Sequence, residues 1–134
     1  MKPDDRNTYV MYRLEKSEET FEVALLLVEN KKWNSAMNRL YYAAFYSISA
    51  LLANSALPTK THTGVKSSFA QHFIKSGKIE GRHGKTFASL FNWRHKGDYA
   101  DFIDYSEEDI LSIIEPTSEL IEAVRKEINR PENP

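Results

Sequence analysis

Trp33 to Ala53 reads WNSAMNRLYYAAFYSISALLA, and its periodicity decides the fold class. Trp33, Met37, Leu40, Ala44, Ile48 and Leu51 recur every three or four residues, which places them on one face of a helix. Tyr41, Phe45 and Leu52 widen that face beyond the stripe of a surface helix, so the segment is expected at the centre of a bundle. Beside it runs a stripe with polar tips: Ser35, Asn38, Arg39, Tyr42, Tyr46 and Ser49. Tyrosines with one apolar face and a wet hydroxyl border grooves and interfaces. A plain solvated edge is the competing reading, and it suits Ser35 and Ser49 better than Asn38 and Tyr42.

Four further helices follow from the same test. One spans about Asn7 to Glu29, with Val10, Leu14, Phe21, Ala24, Leu25 and Val28 as its stripe, and ends at Asn30-Lys31-Lys32. After the loop NSALPTKTHTG, Thr61 is the expected N-cap of a third helix carrying Val65, Phe69 and Phe73. KSGKIEGRHGK is rich in Gly and Lys and reads as a mobile basic connection. A fourth helix from about Lys85 carries Phe87, Leu90 and Phe91 and should weaken at Gly97. The last opens at Ser106, with Asp109 three residues on as in a capping box. Its stripe is Ile110, Ile113, Ile114, Thr117, Ile121, Val124 and Ile128, and Pro116 inside it predicts a kink or a break. RPENP reads as a frayed tail. The expected fold is all-α, an antiparallel helical bundle of about five helices, as one domain over residues 1–134 with its core at about 7–128.

Composition narrows the chemistry. With 41% hydrophobic and 28% charged residues the chain has the balance of a soluble globular protein, and the absence of cysteine excludes disulfides, thiolate metal sites and a cysteine nucleophile. MKPDDRNTYV is acidic where a signal peptide needs an apolar core, and no apolar run approaches a membrane span. A cytoplasmic location without membrane contact is expected. The net charge of -1 hides an asymmetry: between Lys60 and Asp98 eight Lys and Arg face two acids, a balance of +6, which leaves -7 for the rest. Clustered cations favour an anionic partner. Pairing between the basic middle and the acidic flanks is the alternative.

Within that middle, FNWRHKGDYADF (Phe91 to Phe102) sets charge among aromatic residues. Phe87, Phe91, Arg94 and Asp98 are four, three and four residues apart, so Arg94 and Asp98 continue an apolar stripe instead of opposing it. A guanidinium there is either paired with Asp98 at the bundle edge or lines a cleft where its planar fork grips phosphate. His95 and Tyr99 lie four apart on the neighbouring face, and His62 stands alone before the third helix. No H-x-x-x-H pair, serine hydrolase motif or P-loop occurs, so no metal and no other cofactor is expected.

Three stretches taken together, AMNRLYYAAFYSISALL (36–52), THTGVKSSFAQHFIKSG (61–77) and LFNWRHKGDYADF (90–102), resemble the HEPN domain, in its small stand-alone form encoded beside a minimal nucleotidyltransferase. The most specific parts are N-R-x-Y-Y-A at Asn38 to Ala43, T-H-x-G at Thr61 to Gly64 and R-x-x-x-D-Y at Arg94 to Tyr99. The resemblance covers nearly the whole chain. It implies a helical bundle that homodimerises, a nucleotidyltransferase partner acting as antitoxin, and in many members metal-independent ribonuclease activity. In those members Arg-x(4–6)-His motifs meet across the dimer, the arginine holding the scissile phosphate and the histidine moving a proton. This chain departs from that pattern: five residues after Arg94 stands Tyr99, followed by Ala100 and Asp101. The reading is therefore a module that binds RNA or a nucleotide around Arg94, with Asn38, Arg39, Tyr42, His62, His95 and Asp98 as binding residues. A ribonuclease using Arg94 and Tyr99 is the alternative, and a structural adaptor the third. A partner is also expected to modify a tyrosine near the motif in some systems, which makes Tyr99 the candidate.

Overall fold

The central segment does form the middle of a bundle. The computed structural model describes residues 2–99 and 104–131, with side chains at all of these except 3 and 96–99. Among them lie five α-helices: α1 (Pro3–Glu29), α2 (Trp33–Asn54), α3 (His62–Phe69), α4 (Gly81–Tyr99) and α5 (Glu107–Ile128). A π-helical turn, Ala70–Ile74, prolongs α3. α2 touches all four other helices, and its Met37, Leu40, Tyr41, Ile48, Leu51 and Leu52 are at most 1% exposed. α1 and α2 run together along most of their length. Their seam is built from small residues, Ala24, Ala43 and Ala50, and is pinned where Ser17 Oγ donates to the Ala43 carbonyl at 2.7 Å.

Several helix ends and faces differ from expectation, each for a local reason. α1 begins at Pro3, not Asn7, because proline suits the first helical position and Asp4 and Asp5 complement the positive end of the helix dipole. Leu25 is 37% exposed: it sits about 100° round from fully buried Ala24 and so off the seam. The basic connection is shorter and better anchored than a mobile loop, since Ile79 is buried and its N–H donates to Phe73 at 2.9 Å. GRHGK belongs to α4. A Cβ on Gly84 would lie 3.1 Å from Ile74 Cγ1, so the glycine that reads as loop permits close helix packing there.

α4 continues past Gly97 to Tyr99. α5 begins with the expected capping box, in which Asp109 N–H donates to Ser106 Oγ and Ser106 N–H to Asp109 Oδ2. It then runs unbroken through Pro116. The carbonyl deprived of a donor belongs to Ser112, an exposed residue where water can take the donor's place, while buried Ile113 and Thr117 hold both halves to the core.

Candidate functional site

The start of α3 sets the first part of the site. Thr61 Oγ1 accepts from Gly64 N–H at 2.9 Å, closing the N-cap. A Cβ on Gly64 would stand 2.7 Å from that same oxygen, so the cap itself demands glycine. The turn delivers His62 onto α2. Its ring stacks on Phe45 with centroids 4.3 Å apart, and its Nδ1 lies 2.7 Å from Tyr41 Oη. One ring nitrogen is thereby committed and the imidazole is held in place.

Tyr41 is the hub. Its ring is fully buried and stacks on Phe87 at 5.8 Å, while Tyr42 meets it edge-on at 5.2 Å. From α4 the Arg94 guanidinium lies 5.4 Å from both tyrosine rings. From α2 itself Arg39 lies 5.0 Å from the Tyr42 ring and donates through Nε and Nη2 to Asn38 Oδ1, at 3.2 and 2.9 Å. Arg39 forms no ion pair among the described residues. On the far side of Tyr41, Phe91 carries the His95 ring at 4.3 Å and the Lys66 ammonium at 4.8 Å. Cations and imidazoles thus converge on one set of aromatic faces, which helps to position them.

Asn38, Arg39, Tyr42, His62 and Arg94 therefore share one neighbourhood, and His95 joins it through Phe91. The side chains of Asp98 and Tyr99 lie outside the described residues. Ser49 is 1% exposed and lies in the interior, not along a wet edge, whereas Ser35 is exposed. Tyr41, Phe45 and Phe91 read from sequence as plain core and prove to be the platform of the site. Lys66 counts in the sequence only toward the basic balance of residues 60–98, since a lone lysine on a short helix has no pattern that marks it as a site residue.

A broad groove elsewhere, between α1, α4 and α5, has the opposite character. Glu18, Glu22, Glu115, Glu119 and Glu122 line it, and its arginines are already engaged: Arg82 with Glu80 and Glu119, Arg125 with Glu18. It does not suit an anion. Glu80 and His83 have E-x-x-H spacing at its edge, but among the described residues no group of three or more His, Asp or Glu is placed to hold a metal ion. His83 is 4% exposed and its pKa lies below the ordinary 6.5, first because burial disfavours the imidazolium and then because Arg82 repels it, against weaker attraction from Glu80 and Glu119. Unfolded chains take up that proton more readily. The stability supplied by neutral His83 is thus complete above about pH 6.5 and is lost as pH falls through the lower folded value. The urea midpoint should drop between pH 7 and pH 5, and His83→Gln should make that drop shallower.

The fold and the site define an all-helical protein with cations and imidazoles arrayed on a tyrosine platform. The HEPN domain matches residues 10–128, and the chain belongs to the HEPN family. A Thermotoga maritima protein named UPF0332 protein is 33% identical over 123 residues, 92% of this chain and 93% of the relative. A Methanocaldococcus jannaschii protein named "Putative toxin MJ0605" is 35% identical over 113 residues, 84% of each. A second from that organism, "Putative toxin MJ0142", is 30% identical over 96 residues, covering 72% of this chain and 65% of its own. Among the described residues no helix is long and apolar enough to cross a membrane.

Proposed function

We propose that this chain is the HEPN half of a nucleotidyltransferase-linked, toxin–antitoxin module, a single cytoplasmic domain that homodimerises and binds RNA or a nucleotide around Arg94. The observation that carries the reading is the placement of two guanidiniums, Arg39 and Arg94, on one tyrosine, Tyr42. A guanidinium is a planar N–H fork that matches phosphate oxygens, and the half-exposed Tyr42 ring beside it suits contact with a base. The basic balance of residues 60–98 adds long-range attraction for a polyanion. The names of the two Methanocaldococcus relatives support the toxin half of the pair.

A second reading, a metal-independent endoribonuclease, is favoured by His62. The Arg-x(4–6)-His spacing lacks its histidine, yet His62 packs 5.8 Å from the same two tyrosine rings that carry Arg94. In that reading Arg94 holds the scissile phosphate and His62 or His95 accepts the ribose 2′-hydroxyl proton. The 2′-oxygen bonds to phosphorus, the 5′-oxygen leaves with a proton, and a 2′,3′-cyclic phosphate remains. Tyr99 stays a candidate for the proton step.

Incubating purified protein with labelled RNA in EDTA separates the readings. Retarded but intact RNA supports the binding module. Cleavage to cyclic-phosphate ends that disappears in His62→Ala supports the nuclease. If neither binding nor cleavage occurs with folded protein at high concentration, both readings fall and the structural adaptor stands.

A further inference from the structure

The acidic groove between α1, α4 and α5 carries more charge than its own cations answer. Six glutamates and three cations line it. Arg82 and Arg125 engage Glu80, Glu119 and Glu18. Glu22, Glu115 and Glu122 are exposed and form no ion pair with any described residue. The groove encloses about 860 Å³, far more room than one ion needs, and half-buried Phe21 and buried Ile121 add apolar lining.

His83 is the second observation. Its side chain lines the groove, is more than nine-tenths buried, and makes no hydrogen bond with any described residue. Buried polar groups are nearly always hydrogen-bonded, and one left without a partner costs stability that an incoming donor restores. Apolar side chains continue both banks. Leu25 stands four residues after Phe21 and three after Glu22, and Leu111 stands four before Glu115, so each shares a helix face with groove residues. Both leucines are exposed. The angle that takes Leu25 off the α1–α2 seam thus turns it toward the strip of Phe21 and Glu22.

Carboxylates flanked by leucines, with an unsatisfied imidazole between them, complement a surface that is basic and apolar at once. A small organic cation would meet the carboxylates and leave the leucines uncovered. A second copy is also ill-suited: at a two-fold axis the groove would meet its own likeness, carboxylate against carboxylate. We infer that the groove is the docking site for a partner protein, occupied by an amphipathic segment rich in Lys and Arg. Glu22, Glu115 and Glu122 hold its cations, Phe21 and the leucines cover its apolar side, and His83 accepts a hydrogen bond from it. The docking site stands independently of the RNA-binding reading, which uses cations on other residues.

Anisotropy and NMR titration with a labelled synthetic peptide, four turns of helix with Lys and Leu on opposite faces, test it beside a Lys–Ser counterpart and spermidine. The Lys–Leu peptide should saturate wild type at one per chain, move the His83 ring signals, and bind more tightly than the Lys–Ser peptide. Glu115→Lys and Glu122→Lys together should weaken it about tenfold, while Glu29→Lys, the same kind of change outside the groove, should alter it less than about twofold. Glu22→Lys should weaken it from the opposite bank, which preserves the test if circular dichroism shows the double variant misfolded. Equal binding to wild type and the groove variants, or none to wild type, overturns the docking site. Equal affinity for both peptides with full displacement by spermidine makes the groove a small-polycation site and overturns it as well. So does a wild-type dimer that the double variant dissolves in sedimentation, because a second copy then fills the groove.

Discussion

Replacing Arg94 by alanine is expected to weaken RNA binding by about 10- to 150-fold, the loss of about 1.5–3 kcal/mol that charge-assisted hydrogen bonds supply. The fold should survive, because the contact of the guanidinium with the Tyr41 and Tyr42 rings contributes about 0.5–2 kcal/mol, a small part of a domain's stability. Arg94→Lys separates charge from geometry. Lysine restores a point charge but not a planar fork resting on two rings, so it should recover salt-dependent attraction and only a small part of the affinity. Anisotropy with a labelled eight-nucleotide RNA measures all three proteins. Full recovery by lysine would reduce the role of Arg94 to general attraction.

Tyr41→Ala should have the largest effect on stability. The ring is fully buried and packs against Phe45, Phe87 and Phe91, and truncating a buried aromatic residue costs about 3–5 kcal/mol. Total stabilities of small domains are about 5–15 kcal/mol, so the variant should be marginal or unfolded at ambient temperature. Tyr41→Phe keeps the packing and removes only the hydroxyl that meets His62 Nδ1. It should lose about 1 kcal/mol of stability. Its larger effect should fall on RNA binding or turnover, since His62 then loses the contact that fixes its ring. Urea denaturation of the two variants beside wild type gives the stability order, and an alanine variant as stable as wild type would remove Tyr41 from the centre of the core.

The fold was legible because the apolar stripes of α2 and α5 are long and keep one helical period, so a single sequence carries enough repeats to fix the class. Capping chemistry was equally local: Thr61 with Gly64 and Ser106 with Asp109 are bonds between near neighbours. What failed depended on distant packing. Gly84 reads as a loop residue until Ile74 lies against it, and of the kink or break that Pro116 predicts the break does not occur, because Ile113 and Thr117 are anchored on either side. Arg94 stood out as a cation continuing an apolar face. Its partners did not, since Tyr41 shares the periodicity of a core residue, and nothing in its spacing tells a structural ring from one that carries a guanidinium. His62 is the sharpest case: it looked isolated in a loop because its neighbours, Tyr41 and Phe45, are contributed by another helix.

RNA binding around Arg94, beside Tyr42, is the reading on which the proposed function depends. Its most direct test is an NMR titration of 15N-labelled protein with the eight-nucleotide RNA, following backbone amides and arginine Nε signals together. The account predicts shifts concentrated at Asn38 to Tyr46, His62 to Lys66 and the Arg39 and Arg94 Nε groups, with Glu115 to Glu122 of the acidic groove unmoved. Shifts centred on that groove, or a saturating complex that leaves Arg39 and Arg94 unperturbed, would contradict it.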